Sequence, residues 1–307
     1  MSVIFNNESR PDLAASIRTD YTAEYIYPKI LPVINVYEES GVISVAQNIT
    51  ASADENRAYS ADLTLNHLGN AGVNFLCSGY ESRIACSDTD LKLKGDSLDL
   101  IQAEMANAGG EAVVGKMETA AEAALFAGAG ASVTATSGAP FAAIAEAGYK
   151  VAPYGTPYLV CSQYWLSQML QYEGFTAPIL KLFGEGVIAG LLTGSDKVAQ
   201  SVGAWCGLGG ILIGKDTFWK NGSHTGNAFV VARRPEMEEP GRAYWTAKVK
   251  PVLGATLTFL PRDTEGNPWF VDTTYLPGPK INAVDVGIKA QSRIFNGGAA
   301  CKIALPT

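Results

Sequence analysis

The stretch YPKILPVINVYEESGVISVAQ, Tyr27 to Gln47, constrains this chain more than any other. Val, Ile and Tyr crowd it, Pro28 and Pro32 open it, and Glu38–Gly41 break it, so it reads as two extended pieces. The polar run NITASADENRAYSADLTLNHLGNAG that follows reads as a long loop. Next, GVNFLCSGYESRIAC turns strand-like again, with Val73, Phe75 and Cys77 on one parity and Asn74, Ser78 and Ser82 on the other. Two strand arms around a polar tip predict a long hairpin. No helix is convincing before about residue ninety, and an isolated hairpin is marginal in water without a third strand or a helix. These segments are therefore expected to bury their apolar faces on something outside their own core.

The first strong helix is DSLDLIQAEMANAGGEAVVGKMETAAEAALFAGAG, with Asp96 as N-cap and Gly128 and Gly130 at its end. Leu98, Ile101, Met105, Ala112, Val113, Met117, Ala120 and Ala124 draw one apolar stripe. Asp99, Asn107, Glu111, Glu118 and Glu122 lie off that stripe. Gly109-Gly110 marks a bend or a close contact. Beyond a small-residue linker (Ala131–Ala139), PYLVCS predicts a strand and Trp165, Leu166, Met169 and Leu170 a helix. LKLFGEGVIAGLL reads as strand, turn, strand; SDKVAQSVGAWCGL as a helix; GGILIG and NAFVVARR as strands. Strand and helix alternating in this way predict an α/β subdomain. VLGATLTFLPRDTEGNPWFVDTTYL then gives a hairpin signal, and the C-terminus closes with two short strands around Asn296-Gly297-Gly298.

The 307 residues allow a sizeable core. Only 17% are charged, against 47% apolar, and 32 glycines and 15 prolines leave much neutral surface. Such surface is cheap to desolvate and leans toward contact with copies or partners, although a Gly-rich enzyme would look similar. A net charge of −7, without basic stripes, argues against direct nucleic-acid binding. Five widely spaced cysteines suggest neither a disulfide framework nor a zinc site, so buried free thiols in a reducing cytoplasm are expected. The N-terminus lacks a secretory pattern, and the uncharged runs 123–145 and 151–172 are too polar to span a membrane, so a soluble protein is expected.

Catalytic signals are weak. The two histidines, His67 and His224, lie in polar turn-like sequence without a G-x-S-x-G elbow. Neither Gly128-x-Gly130 nor GLGGILIG completes a nucleotide-binding loop, and Glu38-Glu39 and Glu236, Glu238 and Glu239 read as solvated charge. A catalytic reading would centre on residues 150–235 and give His224 a role, leaving the hairpin without one. No catalytic, metal or cofactor site is expected, and the protein is not expected to be an enzyme.

The order of parts resembles a known family. YTAEYIYPKILPVINVYEESGVISV, DLKLKGDSLDLIQAEM, SDKVAQSVGAWCGLGGILIGKD and AYWTAKVKPVLGATLTF resemble segments of the major capsid protein of tailed bacteriophages, the Hong Kong 97-type fold. The resemblance implies an α+β capsid fold. Residues 1–32 would form an N-terminal arm and 33–90 an extended β-hairpin loop. Residues 91–138 and 240–290 would form a peripheral domain with a long spine helix, and 139–239 and 291–307 an α/β axial domain. It implies a shell subunit assembling into hexamers and pentamers around packaged double-stranded DNA, bound without sequence specificity, in virions assembled in the host cytoplasm. Its partners would be copies of itself, with room for a scaffolding or cement protein. An encapsulin-type compartment enclosing protein cargo is the alternative. No lysine–asparagine pair stands out for covalent cross-linking. In such shells arm and loop lie on neighbouring subunits, so Tyr27, Ile30, Val33, Ile34, Val36, Tyr37, Val42, Ile43, Val45, Val73, Phe75 and Tyr80 are the expected subunit-interface residues.

Overall fold

The computed structural model describes residues 8–17, 25–46, 70–87, 89–90, 98–193, 195–215, 219, 226–233, 253–261, 267–277 and 280–306. The chain starts with β1 (Glu8–Ser9), α1 (Pro11–Ile17), α2 (Tyr27–Ile30) and β2 (Val33–Val36). A hairpin of β3 (Ser40–Ala46) and β4 (Asn70–Leu76) leads into β5 (Ser78–Ser87) and the 31-residue helix α3 (Leu98–Gly128). Then come β6 (Ala131–Thr134), α4 (Pro140–Val151), β7 (Thr156–Ser162), α5 (Gln163–Met169), α6 (Glu173–Phe183), α7 (Gly186–Leu192) and α8 (Asp196–Trp205). The chain closes with β8 (Gly210–Gly214), β9 (Asn227–Arg233), β10 (Gly254–Phe259), β11 (Trp269–Leu276), β12 (Ile281–Ile294) and β13 (Ala300–Ala304).

A six-stranded sheet is organised around β12. Ala290 pairs with Ser78 of β5 and with Thr258 of β10, so these strands flank β12 on opposite edges. β11 precedes β10 along the edge opposite β5, because Ile288 pairs with both Trp269 and Tyr80. β2 adds to β10 in parallel, and β1 to β11. A second, five-stranded sheet runs β6-β13-β9-β7-β8, mixing parallel and antiparallel pairs.

Helix α3 lies along β12, and glycine permits the approach. A Cβ on Gly109 would stand 2.9 Å from Val286 Cγ2, and one on Gly128 would stand 2.7 Å from Ile294 Cβ. From Gly109 to Gly128 the helix advances about 28 Å, and from Val286 to Ile294 the strand advances about 26 Å, so the two elements stay in step. The N-terminal half of α3 buries Ile101, Met105 and Ala106 with Val271, Val284 and Val286. The C-terminal half buries Val113, Val114, Met117 and Leu125 in the core of the second sheet, with Trp165, Phe175 and Phe229.

Several expectations change. Tyr27–Ile30 is a helical turn, with Pro28 early in it, rather than strand. Pro140–Val151 is a helix that Ala-rich sequence concealed. LKLFGEGVIAGLL is helix–turn–helix, with the chain reversing at Gly184 (φ 81°), which favours glycine. β10 and β11 do not form the expected hairpin, because each pairs with β12 instead. β12 is a long strand whose last residues, through Ile294, remain in the six-stranded sheet, so the expected boundary at 291 cuts it. β2 and β5 are strands of that same sheet, although both fall within the 33–90 span expected to be loop. The hairpin tip 47–69, Asp96, His67, His224 and Glu236, Glu238 and Glu239 lie outside the described residues.

Val286 is buried and held by strands on both edges, so it cannot yield. Gly109→Val should therefore cost about 1–3 kcal/mol by overpacking, despite its better helix propensity. The exposed neighbour substitution Ala108→Val should cost under about 1 kcal/mol. Urea midpoints of the two variants check this ordering.

Candidate assembly interface

The β3–β4 hairpin has two unlike faces. Gly41 pairs with Phe75 and Ile43 with Val73, placing these residues on one face. Ile43, Phe75 and Cys77 pack there against Ile34 of β2 and Ala255 and Leu257 of β10. Burial pushes the Cys77 thiol up to about 11, and its Sγ lies 3.7 Å from the Leu257 carbonyl oxygen. It is a packed thiol, not a nucleophile. On the other face, Val42 pairs with Asn74 and Ser40 with Leu76. Val42 is 65% exposed and Leu76 59%.

The hairpin base is fastened to the sheet by polar contacts. Cys77 N donates to the Glu39 carbonyl oxygen at 2.8 Å, and Leu76 N donates to Gln291 Oε1 at 3.0 Å. Lys289 Nζ stands 2.5 Å from Glu39 Oε1. This last pair is half exposed, and its contribution is small. Beside the base, β4, the end of α3 and the end of β12 enclose an open groove of about 540 Å³, lined by Gly72, Asn74, Ala127, Gly128, Arg293 and Ile294.

The expected interface residues divide sharply. Tyr27 and Ile30 are buried in the main core beside Val113 and Met117, and Ile34, Ile43 and Phe75 form the cluster beneath the hairpin. These five have their apolar partners at home, which corrects the expectation that the early segments bury themselves only on other copies. The arm behaves likewise: Leu13, Ala14 and Ile17 of α1 pack on Ile101 and Met105, and Arg10 Nη1 donates to Gln102 Oε1 at 2.5 Å. Val36, Val73 and Tyr80 are half-buried, and the Val45 side chain lies outside the described residues. Val33, Tyr37 and Val42 are exposed, Tyr37 by 61%. Sequence reasoning omitted Leu76, although its place opposite Ser40 on the Val42 face follows from the strand alternation it had already used.

The five-stranded subdomain exposes a second apolar set, Tyr149, Leu182 and Trp205. Trp205 is held edge-on to Phe141 at 4.6 Å, and Phe141 stacks on Phe175 at 4.7 Å. Among the described residues no group of three or more His, Cys, Asp or Glu is placed to hold a metal ion, and no single helix is long and apolar enough to cross a membrane.

Glu118 and Glu122 lie off the expected apolar stripe, yet both are buried. The signal was present: they continue the buried row Ala106, Gly110, Val114 at four-residue steps.

No family model matches the sequence, and no curated protein matches it. Solved structures do match the fold. A phage-related protein from Bordetella bronchiseptica has a TM-score of 0.60 at 16% identity, covering 97% of each chain. The capsid of cyanophage P-SCSP1u gives 0.52 at 12% identity over 100% of this chain and 91% of that one. The holo-SrpI encapsulin complex from Synechococcus elongatus gives 0.53 at 12% identity over 90% and 85%. The architecture is thus the mixed helix-and-sheet fold found in capsid and encapsulin structures. Phage capsid structures share this fold, as the order of sequence segments implied.

Leu76→Glu should change the stability of the unassembled chain by less than about 0.5 kcal/mol, since the site is exposed. Phe75→Ala, one residue away on the buried face, should cost about 3–5 kcal/mol. Denaturant titration checks both. Sedimentation of wild type and Leu76→Glu then reads any difference in self-association without a difference in folding.

Proposed function

We propose that this chain is the structural subunit of an icosahedral viral capsid. Copies assemble into hexamers and pentamers that enclose packaged double-stranded DNA, in virions built in the host cytoplasm, with a scaffolding or cement protein as a further partner class. The role is structural and involves no catalysis. The observation that carries this reading is the hairpin: one face is anchored on its own sheet, while the other presents Val42 and Leu76 with no cover from the described chain. Val33 and Tyr37 are exposed as well. Many modest contacts of this sort, repeated around each subunit, make a closed shell stable although each alone is weak. The net charge of −7 suits a wall that must not bind its own contents tightly.

The second reading, a compartment around protein cargo, is supported by the likeness to an encapsulin and to a virus-like particle from Pyrococcus furiosus, the latter at TM-score 0.53. The two readings differ in what is enclosed. Purified chain should form capsomers or closed particles in light scattering and negative-stain images; a strict monomer across salt and concentration would contradict both. Particles recovered from the native source should protect double-stranded DNA from nuclease if the first reading holds. Nuclease-insensitive particles holding a second protein would replace it with the other.

A further inference from the structure

Three segments meet at one carboxylate. Glu118, on the buried face of α3, accepts from Ile26 N at 3.0 Å and from Trp219 Nε1 at 2.5 Å through Oε1, and from Tyr27 N at 2.9 Å through Oε2. These bonds fasten the start of α2, and the indole of Trp219, to the middle of α3. One turn further along α3 stands Glu122, 1% exposed, with neither carboxylate oxygen meeting a donor among the described residues. A buried polar group without a partner is costly, and an ionised one far more so.

We propose that Glu118 and Glu122 form a protonation-controlled latch: neutral Glu122 lets Glu118 hold the Tyr25–Ile30 segment on α3, and ionised Glu122 loosens that hold. The arrangement follows from the packing. Two carboxylates four residues apart on one buried helix face cannot both be charged without strong repulsion, and only Glu118 has donors to stabilise its charge. Burial first, and the Glu118 charge second, push Glu122 up to about 8. Burial also raises Glu118, opposed by its bonds from Trp219, Tyr27 and Ile26 and by the charge of Lys29.

Among the described residues, no cation supplies a counter-charge to Glu122. Tyr25 and Tyr27 flank Glu118 from the N-terminal segment, and burial drives Tyr27 upward, so it stays neutral. Lys215 lies over the Tyr25 ring at 5.5 Å, and Lys302 of β13 over Phe126 at 4.3 Å. Among the described residues, Glu118 is the group whose charge acts on Glu122.

The sign of the effect is set by linkage. A carboxyl group raised in the folded state keeps its proton there while the unfolded chain loses it. Stability from this site is greatest below the ordinary carboxyl range, falls as pH climbs through about 8, and then levels off. Opening the latch admits water to both carboxylates and frees the Ile26 and Tyr27 amides.

Hydrogen exchange of those two amides in the full chain tests the proposal, at about pH 6 and about pH 9 and corrected for intrinsic exchange rates. Wild type should lose roughly a hundredfold in protection, about tenfold for each of the two pH units between 6 and the Glu122 transition near 8, with little further loss above it. Glu122→Gln should stay within about twofold across the same range, and Trp219 emission should shift with pH only in wild type. Should Glu122→Gln fold poorly, Glu122→Met, which carries no titrating group, should give the same flat profile. Equal loss of protection in wild type and in either folded variant overturns the latch, as does a flat wild-type profile. None of these outcomes depends on whether the chain forms a shell.

Discussion

The placement of every other part depends on the long helix α3 lying in step along β12. Two glycines, Gly109 and Gly128, remove the side chains that would otherwise hold the elements apart at Val286 and Ile294. β12 carries β5 on one edge and β11 followed by β10 on the other, so it orders the six-stranded sheet. β5 continues back into the hairpin, and β10 carries β2, so the hairpin's base is set from both sides by the same strand. Past Gly128, the Gly130 amide donates to the Gly297 carbonyl oxygen at 2.8 Å, and the chain passes into the second sheet through β6 and β13. One helix thus belongs to both cores and ties them together.

In the proposed shell, this frame lets the hairpin work between molecules without being detached. Phe75 and Ile43 fix it at home, each buried side chain contributing about 1.5–3 kcal/mol. The anchored face leaves the opposite face free to meet another surface without first paying to order the strands. A hairpin with no home contact would lose that advantage, because ordering it would offset much of what its contacts contribute.

Much of this was legible in the sequence where local pattern and tertiary context agree. The α3 stripe through Ile101, Met105, Val113 and Met117, the alternation at Val73, Phe75 and Cys77, and the Gly-rich step into β8 each stand as read. Reading failed where long-range pairing overrides local signals. The Asp-Thr-Glu-Gly-Asn turn suggested that its flanking runs pair with each other, yet β12, later in the chain, takes an edge from each. β-branched and Gly-rich sequence made α6 and α7 look like strands, although Gly184 only turns the chain between helices. Tyr27, Ile30 and Ile34 looked unpartnered because their partners, on α3 and β10, lie far along the chain. Glu118 and Glu122 lie off the expected stripe but share a four-residue spacing with buried neighbours, which their charge obscures.

The central claim is that the outer hairpin face meets a neighbouring copy while the inner face stays on its own sheet. A cryo-electron microscopy map of the assembled protein, resolved to side chains, examines this directly. The account predicts Val42 and Leu76 packed against another subunit, with Phe75 still seated over Leu257 of its own chain. A map of a closed particle in which Val42 and Leu76 face solvent, with no neighbouring subunit over them, would contradict it.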